Sequence, residues 1–240
     1  KERRKTNRTV KPKKMSLDSL ESGQSPEISL FLGEYEGERN EKEERHGFGR
    51  ALLPNGDEYE GDYKNGKRNG NGKYTFLKSK ARYEGEYSNG QKCGQGKFWY
   101  PDGSIYEGTW AEGLRNGYGK YTYANGDVYE GMWKDGRKHG QGEYIYKDKG
   151  IRYRGNWSDG ISKDHGKLIT SSFTYHGTFS GEEPVGTGKF HFDAGCEQEG
   201  EYVTKRMVRY TDASREVFHV PHWNCLSLYK AGSRLDKPLD

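Results

Sequence analysis

The sequence has few of the large apolar side chains that usually build a protein core. Leu, Ile, Val and Phe together number 35 of 240 residues, about 15%, which is typical of chains that build no compact core. No run approaches the roughly 18 apolar residues that a membrane-spanning helix needs. The widely spaced Cys93, Cys196 and Cys225 leave one thiol unpaired in any disulfide scheme, so we expect a reducing compartment. These shortages exclude a transmembrane helix and a disulfide scaffold.

Two features nevertheless argue against disorder. The net charge is only +4, and aromatic residues make up 14% of the chain. A disordered chain has little use for Tyr, Trp and Phe, each of which buries a large area when it packs. The composition therefore predicts an ordered but non-globular architecture.

Basic charge is concentrated at the start of the sequence. Residues 1–32 contain eight basic and four acidic side chains, whereas the rest of the chain is neutral. We interpret residues 1–32 as a flexible basic arm. Such a run can bind acidic lipid or nucleic acid, or act as a nuclear address, and a solvated arm without a partner is the simpler alternative.

A repeat of 22 to 24 residues dominates the remainder of the chain. The triplet Tyr-Glu-Gly, or a variant of it, begins at Tyr35, Tyr59, Tyr83, Tyr106, Tyr129, Tyr153, Tyr175 and Gln198. Two residues after the glycine comes an aromatic residue in seven of the eight units: Tyr63, Tyr87, Trp110, Trp133, Trp157, Phe179 and Tyr202. Most units continue with Gly-x-Gly and then two alternating aromatic residues.

Each unit predicts two strands, because its Tyr, Gly and aromatic positions alternate and so share one side of a pleat. Asn65-Gly66 within a unit and Asn55-Gly56 between units supply the positive φ of tight turns. Turns this short make successive strands antiparallel neighbours. The predicted fold is all-β: an elongated, single-layer antiparallel meander of consecutive hairpins, twisted and curled into a groove.

The two faces of this sheet are predicted to differ. On the aromatic side, a glycine beside each ring leaves space into which a cross-strand ring can lie. The other side alternates glutamate and lysine, for example Glu84 and Lys97, which should pair weakly across strands. The sixth unit departs from the pattern, with a longer segment 161–166 and Leu168 in place of the second glycine, so we expect a local bulge there.

No motif predicts catalysis. The Gly-x-Gly pairs recur as strand features and lack the helix of a dinucleotide site. His219, His222 and Cys225 have spacings that suit zinc but no fourth ligand nearby. We therefore expect a non-enzymatic protein with no catalytic residue, cofactor or metal.

The repeat resembles the MORN repeat (membrane occupation and recognition nexus) over about residues 33–203. Variant stretches such as Leu53-Pro54-Asn55-Gly56-Asp57 and Val220-Pro221-His222-Trp223 are similar to MORN-repeat proteins of the radial spoke head in motile cilia and flagella. This resemblance implies a structural adaptor that binds other radial spoke head subunits and supports the regulation of beating. It also implies a location in the cytoplasm and cytoskeleton, at the axoneme of a cilium or flagellum.

The predicted organisation has three parts: the arm at 1–32, the MORN-repeat sheet at 33–203, and a C-terminal extension at 204–240 that caps the sheet or docks on a partner. An exposed aromatic face would mark a binding site, and open sheet edges would permit self-association. The predicted protein-interface residues are Tyr63, Tyr87, Trp110, Trp133, Trp157, Phe179 and Trp223.

Two other functions fit the sequence less well. The first alternative is a peripheral membrane module that binds anionic phospholipids, against which the neutral repeat body argues. The second is a nuclear or germ-cell scaffold addressed by the arm. We expect no nucleic acid partner and no membrane contact.

Overall fold

The structure is a computed structural model, and it describes residues 33–210 and 215–230. In these ranges the regular structure is one sheet, whose strands are β1 Glu34–Arg39, β2 Arg45–Leu52, β3 Glu58–Lys64, β4 Lys67–Thr75, β5 Arg82–Ser88, β6 Gln91–Trp99, β7 Ile105–Ala111, β8 Leu114–Thr122, β9 Val128–Lys134, β10 Arg137–Tyr146, β11 Ile151–Ser158, β12 Ile161–Ile169, β13 Phe173–Ser180, β14 Glu183–Phe192, β15 Cys196–Tyr210 and β16 Arg215–Lys230. Every strand pairs antiparallel with its neighbours in sequence, so the order in the sheet is the order in the chain. The predicted all-β meander is confirmed. The basic arm lies outside the described residues.

Two kinds of turn connect the strands. In most units the turn within the unit has two left-handed central residues, as in Asn65 (φ 49°) and Gly66 (φ 79°), which is the geometry of a tight hairpin. In most turns between units the glycine is the left-handed residue, as in Gly56 (φ 85°), whereas between β4 and β5 it is Lys80 (φ 62°). In the turn that contains Gly56, the Asn55 side-chain oxygen accepts a hydrogen bond from the Asp57 amide at 3.1 Å, which closes the turn locally.

One turn of the first kind lacks the expected residue. Glu112 adopts φ 51° where other units have Asn65, Asn89 or Asp135. A glutamate side chain makes no local turn hydrogen bond of the kind that Asn and Asp make, so the left-handed conformation is costly here. Sequence reasoning did not recognise Glu112-Gly113 as a turn for the same reason.

Substitution Glu112→Asn is therefore expected to stabilise the protein by about 0.5–1 kcal/mol, because Asn tolerates a left-handed backbone that Glu does not favour. Urea unfolding at equilibrium measures this gain. Glu60→Asn, at an exposed position in β3, serves as the control and should give no gain. An equal gain at both positions would mean that charge, and not the turn, is responsible.

The two glycines of Gly-x-Gly have different roles. The first, for example Gly117 (φ 94°), lies where the pairing of β7 with β8 shifts register, and it needs a left-handed backbone. The second, Gly119, pairs with Gly108 and has an ordinary extended conformation. Glycine is needed at this position because the ring of Tyr106 leaves no space for a side chain.

The sixth unit follows the same plan as its neighbours, which corrects the sequence prediction. Asp164 (φ 63°) takes the place of the first glycine, and Gly166 takes that of the second. Leu168 pairs with Tyr153 and so occupies an aromatic position, not a glycine position. The register shift between β11 and β12 matches those of other units. The expected bulge is present, but it is not a departure from the pattern, because the other hairpins within units contain one as well.

The described part of the C-terminal extension continues the sheet. Residues 204–210 prolong β15, and β16 pairs with β15 from Cys196 to Tyr210. Trp223 of β16 packs against Tyr202 and Phe190, with ring centroids 5.1 and 4.9 Å apart. This strand covers the edge of β15 and presents its own outer edge in turn.

The polar face, which carries the alternating Glu and Lys residues, is exposed and forms ion pairs. Lys97 and Glu107 approach to 3.0 Å, and Lys73 and Glu84 to 3.9 Å. These side chains remain 39–64% exposed. Such exposed pairs contribute a few tenths of a kcal/mol each, as the sequence analysis expected.

Candidate functional site: the aromatic face

The aromatic face is the side of the sheet that carries the tyrosine, glycine and tryptophan positions of each unit. Its rings form an unbroken chain of edge-to-face contacts across successive units, such as Tyr83–Trp110 at 5.3 Å and Tyr106–Trp133 at 5.3 Å. The chain extends from Tyr35 through Tyr175 to Trp223. Although no second layer covers it in the described residues, Tyr59, Tyr83 and Tyr106 are 0% exposed. The rings bury one another, so this face is the core of the protein.

Glycine makes this packing feasible. The third residue of each Tyr-Glu-Gly triplet pairs with the second glycine of the neighbouring Gly-x-Gly, as in Gly108↔Gly119↔Gly131. We call this continuous row the glycine ladder. The Tyr106 ring lies over it, so a Cβ at Gly119 would lie only 2.3–2.6 Å from that ring. The glycines therefore leave space for the rings, as predicted, because each ring lies directly against the glycine backbone.

Hydrogen bonds fix the rings in place. The hydroxyl groups of Tyr59, Tyr83 and Tyr106 each donate to the carbonyl three residues later in the same strand, at 2.9–3.1 Å. The indole N–H groups of Trp110 and Trp133 donate to the Gly96 and Gly119 carbonyls at 3.2 and 3.1 Å. Burial raises the pKa of the Tyr59, Tyr83 and Tyr106 phenols well above the ordinary value of 10.0.

The predicted interface residues lie on this face, but most are buried. Tyr63, Tyr87, Trp110, Trp133, Trp157 and Phe179 are 3–7% exposed. Trp223 is half-buried, and its indole N–H donates to Gln198 Oε1 at 3.2 Å. A partner would meet these six rings as the floor of its binding surface, beneath other side chains.

Those other side chains include a row of cations that sequence reasoning missed. We call Arg45, Arg68, Lys92, Arg115 and Lys138 the cation row; each stands two residues before the first glycine of a Gly-x-Gly. All five are half-buried and lie over rings of their own and the next unit. Lys92 Nζ is 4.3 Å from the Trp110 ring centroid, and Lys138 Nζ is 3.9 Å from that of Trp157. The repeat spacing was the signal that could have revealed this row.

Burial also changes the acidity of the two lysines in this row. The pKa of Lys92 is lowered to about 8, mainly by burial and to a smaller extent by the positive charges of Arg68 and Arg115. Burial lowers the pKa of Lys138 to about 8, against a smaller opposite effect of Glu182. Both ammonium groups are still protonated in most molecules at neutral pH.

These pKa values predict an unusual dependence of stability on pH. Between about pH 8 and 10 the folded lysines release their protons while the unfolded ones retain them, so the free energy of unfolding should rise with pH. Above about pH 10 the unfolded tyrosines ionise while the buried ones stay protonated, so it should fall steeply. Urea unfolding at pH 7, 9 and 11 measures the expected maximum.

The double variant Lys92→Met/Lys138→Met is the control for this prediction. It keeps an unbranched apolar chain over the rings but removes both titrating groups. We expect the rise to disappear and the alkaline fall to remain. A rise that persists in this variant would assign the effect to other lysines.

Other chemistry is not assembled in residues 33–210 and 215–230. No group of three or more His, Cys, Asp or Glu side chains in this part of the chain could hold a metal ion. His219 and His222 lie three residues apart in β16, so alternation places them on opposite faces. No helix in these ranges could cross a membrane.

A known family of repeat proteins matches the repeats of this sheet. The MORN repeat family matches residues 44–58, 59–76, 83–105, 106–128, 129–151 and 175–197. The sheet is thus of the MORN-repeat class.

Two curated proteins are similar to this chain over most of its length. A radial spoke head 1 homologue from Cyprinus carpio is 65% identical over 171 residues, covering 71% of this chain and 78% of the relative. One from Mus musculus is 60% identical over 200 residues, covering 82% of this chain and 66% of the relative. The chain belongs to the family of radial spoke head 1 homologues.

A solved structure has a weaker likeness. The SAS-4 (dCPAP) TCP domain of Drosophila melanogaster, in complex with a proline-rich motif of Ana2 (dSTIL), is 13% identical with a TM-score of 0.44. The alignment covers 75% of this chain and 96% of that chain. This likeness is too weak to carry an inference about the present chain.

Proposed function

We propose that this protein is a non-enzymatic structural subunit of the axonemal radial spoke head. It binds other radial spoke head subunits and so supports the regulation of ciliary or flagellar beating. The observation that carries this proposal is the family membership, with 65% identity to a radial spoke head 1 homologue. The location follows from that role: the axoneme of a cilium or flagellum.

The aromatic face supports binding as the means. No second layer covers this face within residues 33–210 and 215–230, so its half-buried side chains, such as Arg115 and Tyr121, are accessible to a partner. Tyr63, Tyr87, Trp110, Trp133, Trp157 and Phe179 form the floor of the proposed interface, and Trp223 continues it onto β16. Because these rings are also the core, we propose that folding and partner binding depend on the same side chains.

Affinity purification of the tagged protein from ciliated cells tests the proposal. We expect other radial spoke head subunits to be recovered in fixed proportion, as quantified by mass spectrometry. A matched variant, Tyr118→Ser/Met132→Ser, changes exposed residues of the polar face and should recover the same subunits. Absence of all spoke-head subunits from the wild-type sample would overturn the proposal.

Vesicle binding tests the alternative of a membrane module. We expect no sedimentation with vesicles that contain phosphatidylserine at physiological salt. Strong sedimentation by the wild-type protein, together with no spoke-head subunit in the purification, would favour a lipid-binding function instead.

A further inference from the structure

Basic side chains on the two faces of the sheet have different partners. On the polar face, basic groups pair with carboxylates, as Lys97 does with Glu107. In the cation row, none of the five side chains has a carboxylate within 4.0 Å among the described residues. Asp57 and Asp127 accept hydrogen bonds from the hydroxyl groups of Tyr74 and Tyr144. The ring centroids of these tyrosines lie 5.0 Å from Arg68 and Lys138, so the two carboxylates lie beyond the rings and not in contact with the cations. No carboxylate of the described residues therefore contacts the row, and Glu182, which lies farther than 4.0 Å away, offsets the charge of Lys138 only in part.

Most hydrogen-bond donors of the row are also unused. Arg68 and Arg115 each give one N–H to a turn carbonyl, those of Gly90 and Gly136, at 2.9 and 2.6 Å. Arg45 and Arg115 also donate to the hydroxyl groups of Tyr63 and Tyr100. A guanidinium group has five such donors, and an ammonium group has three. Within the described chain, Lys92 and Lys138 contact ring faces but no hydrogen-bond acceptor. These half-buried cations are prepared to receive an anion.

The burial of the two lysines supports this interpretation. Their pKa values are lowered to about 8 because the protein supplies too little compensation for the charged form. A carboxylate bound beside either ammonium group would restore that compensation.

The spacing of the row defines the shape of its ligand. Its members lie on alternate strands, β2, β4, β6, β8 and β10. Strands in a sheet are about 4.8 Å apart, so neighbouring cations recur about every 10 Å. A peptide in the polyproline II conformation has about three residues per turn and advances about 3.1 Å per residue, so every third side chain lies on the same side and recurs about every 9 Å.

We propose that the cation row binds an acidic segment of a partner protein in the polyproline II conformation, which crosses strands β2 to β10 with a carboxylate at every third residue. Small apolar residues between the carboxylates would contact the half-buried rings beside the row, such as Tyr121 and Tyr144. This inference rests on the proposed adaptor function and assigns the chemistry of its partner.

A synthetic peptide tests the spacing directly. The probe is a fluorescein-labelled peptide of five Glu-Pro-Ser triplets, and fluorescence anisotropy with the full chain measures its Kd. The control peptide has the same composition with its five glutamates contiguous. We expect the control to bind at least tenfold more weakly, and a Lys-Pro-Ser peptide not to bind. Equal binding of the spaced and contiguous peptides would overturn the proposal.

Variants test the residues. Lys92→Met/Lys138→Met should weaken binding of the spaced peptide at least tenfold, while Lys92→Arg/Lys138→Arg should retain it. The matched control, Lys97→Met/Lys120→Met, removes two charges from the polar face and should bind as the wild type does. The Tm of each variant confirms folding. Equal losses in the matched pair would assign binding to net charge and overturn the site.

The source of the anion and the proposed function are tested separately. Binding of phosphatidylserine vesicles without binding of the spaced peptide would overturn the proposal in favour of lipid. If Lys92→Met/Lys138→Met recovers spoke-head subunits as well as the wild type does, the acidic-segment inference fails and the adaptor function stands. If the wild type recovers none, the adaptor function fails whatever the peptide result.

Discussion

Substitution Gly119→Ala is expected to destabilise the protein by about 3 kcal/mol, the upper part of the range for overpacking. The new Cβ would lie 2.3 Å from Tyr106 Oη and 2.6 Å from two ring carbons. Neither side can give way easily, because the ring is fixed by its hydrogen bond to Thr109 and the backbone by its pairing with Gly108 and Gly131. Urea unfolding at equilibrium measures the loss.

Two further variants separate this clash from a general cost of replacing glycine. Gly136→Asn changes a turn glycine that has open space and a left-handed backbone, which Asn tolerates, so we expect a small effect. The double variant Tyr106→Ala/Gly119→Ala should lose less than the sum of its single variants, because the ring that clashes is absent. Simple additivity would show that the ring is not the cause.

Substitution Trp133→Ala should cost about 3–5 kcal/mol, the usual loss for truncating a buried large aromatic side chain. Trp133 contacts Tyr106 and Tyr129 at 5.3 and 5.2 Å and lies beneath Arg115. It therefore joins two successive units, and its removal also leaves the Gly119 carbonyl without the indole donor. Unfolding free energy and hydrogen exchange together measure the result.

The damage from this truncation should be local. In a repeat array each unit contacts only its neighbours, so protection should fall mainly in β7 to β10 and persist at distant strands. Trp99→Ala is the matched control. Trp99 lies on the polar face and stacks with Arg82 at 3.9 Å, so its loss should cost about 1 kcal/mol or less. Equal losses for the two tryptophans would contradict a core on one face.

Much of the fold could be predicted because each unit repeats the same pattern of strand and turn residues. Alternation of Tyr, Gly and aromatic positions predicted the face, and Asn65-Gly66 predicted a turn that the structure contains. Repetition multiplied these weak signals into a strong one. Glu112 escaped notice because a turn was specified there by its glycine alone.

What could not be predicted depends on contacts between units. The sequence did not show how the rings are buried, whereas in the structure Tyr83 reaches 0% exposure among the rings of Tyr87 and Trp110 and beneath Lys92. The position of Leu168 in the sixth unit required the register of β11 with β12. The cation row was overlooked because a basic residue in a polar sequence is usually a solvent-exposed surface residue. Its position over aromatic rings is visible only in the structure.

The agreement between strand order and chain order has a further consequence for how such a protein can change length. Because each strand pairs only with its sequence neighbours, one whole unit can be removed or inserted without rethreading any other. The joined ends meet as the original ones did, and the alternation of faces is preserved. The length of the sheet is therefore set by the number of repeats, and it can change by one unit at a time, in evolution or by protein engineering.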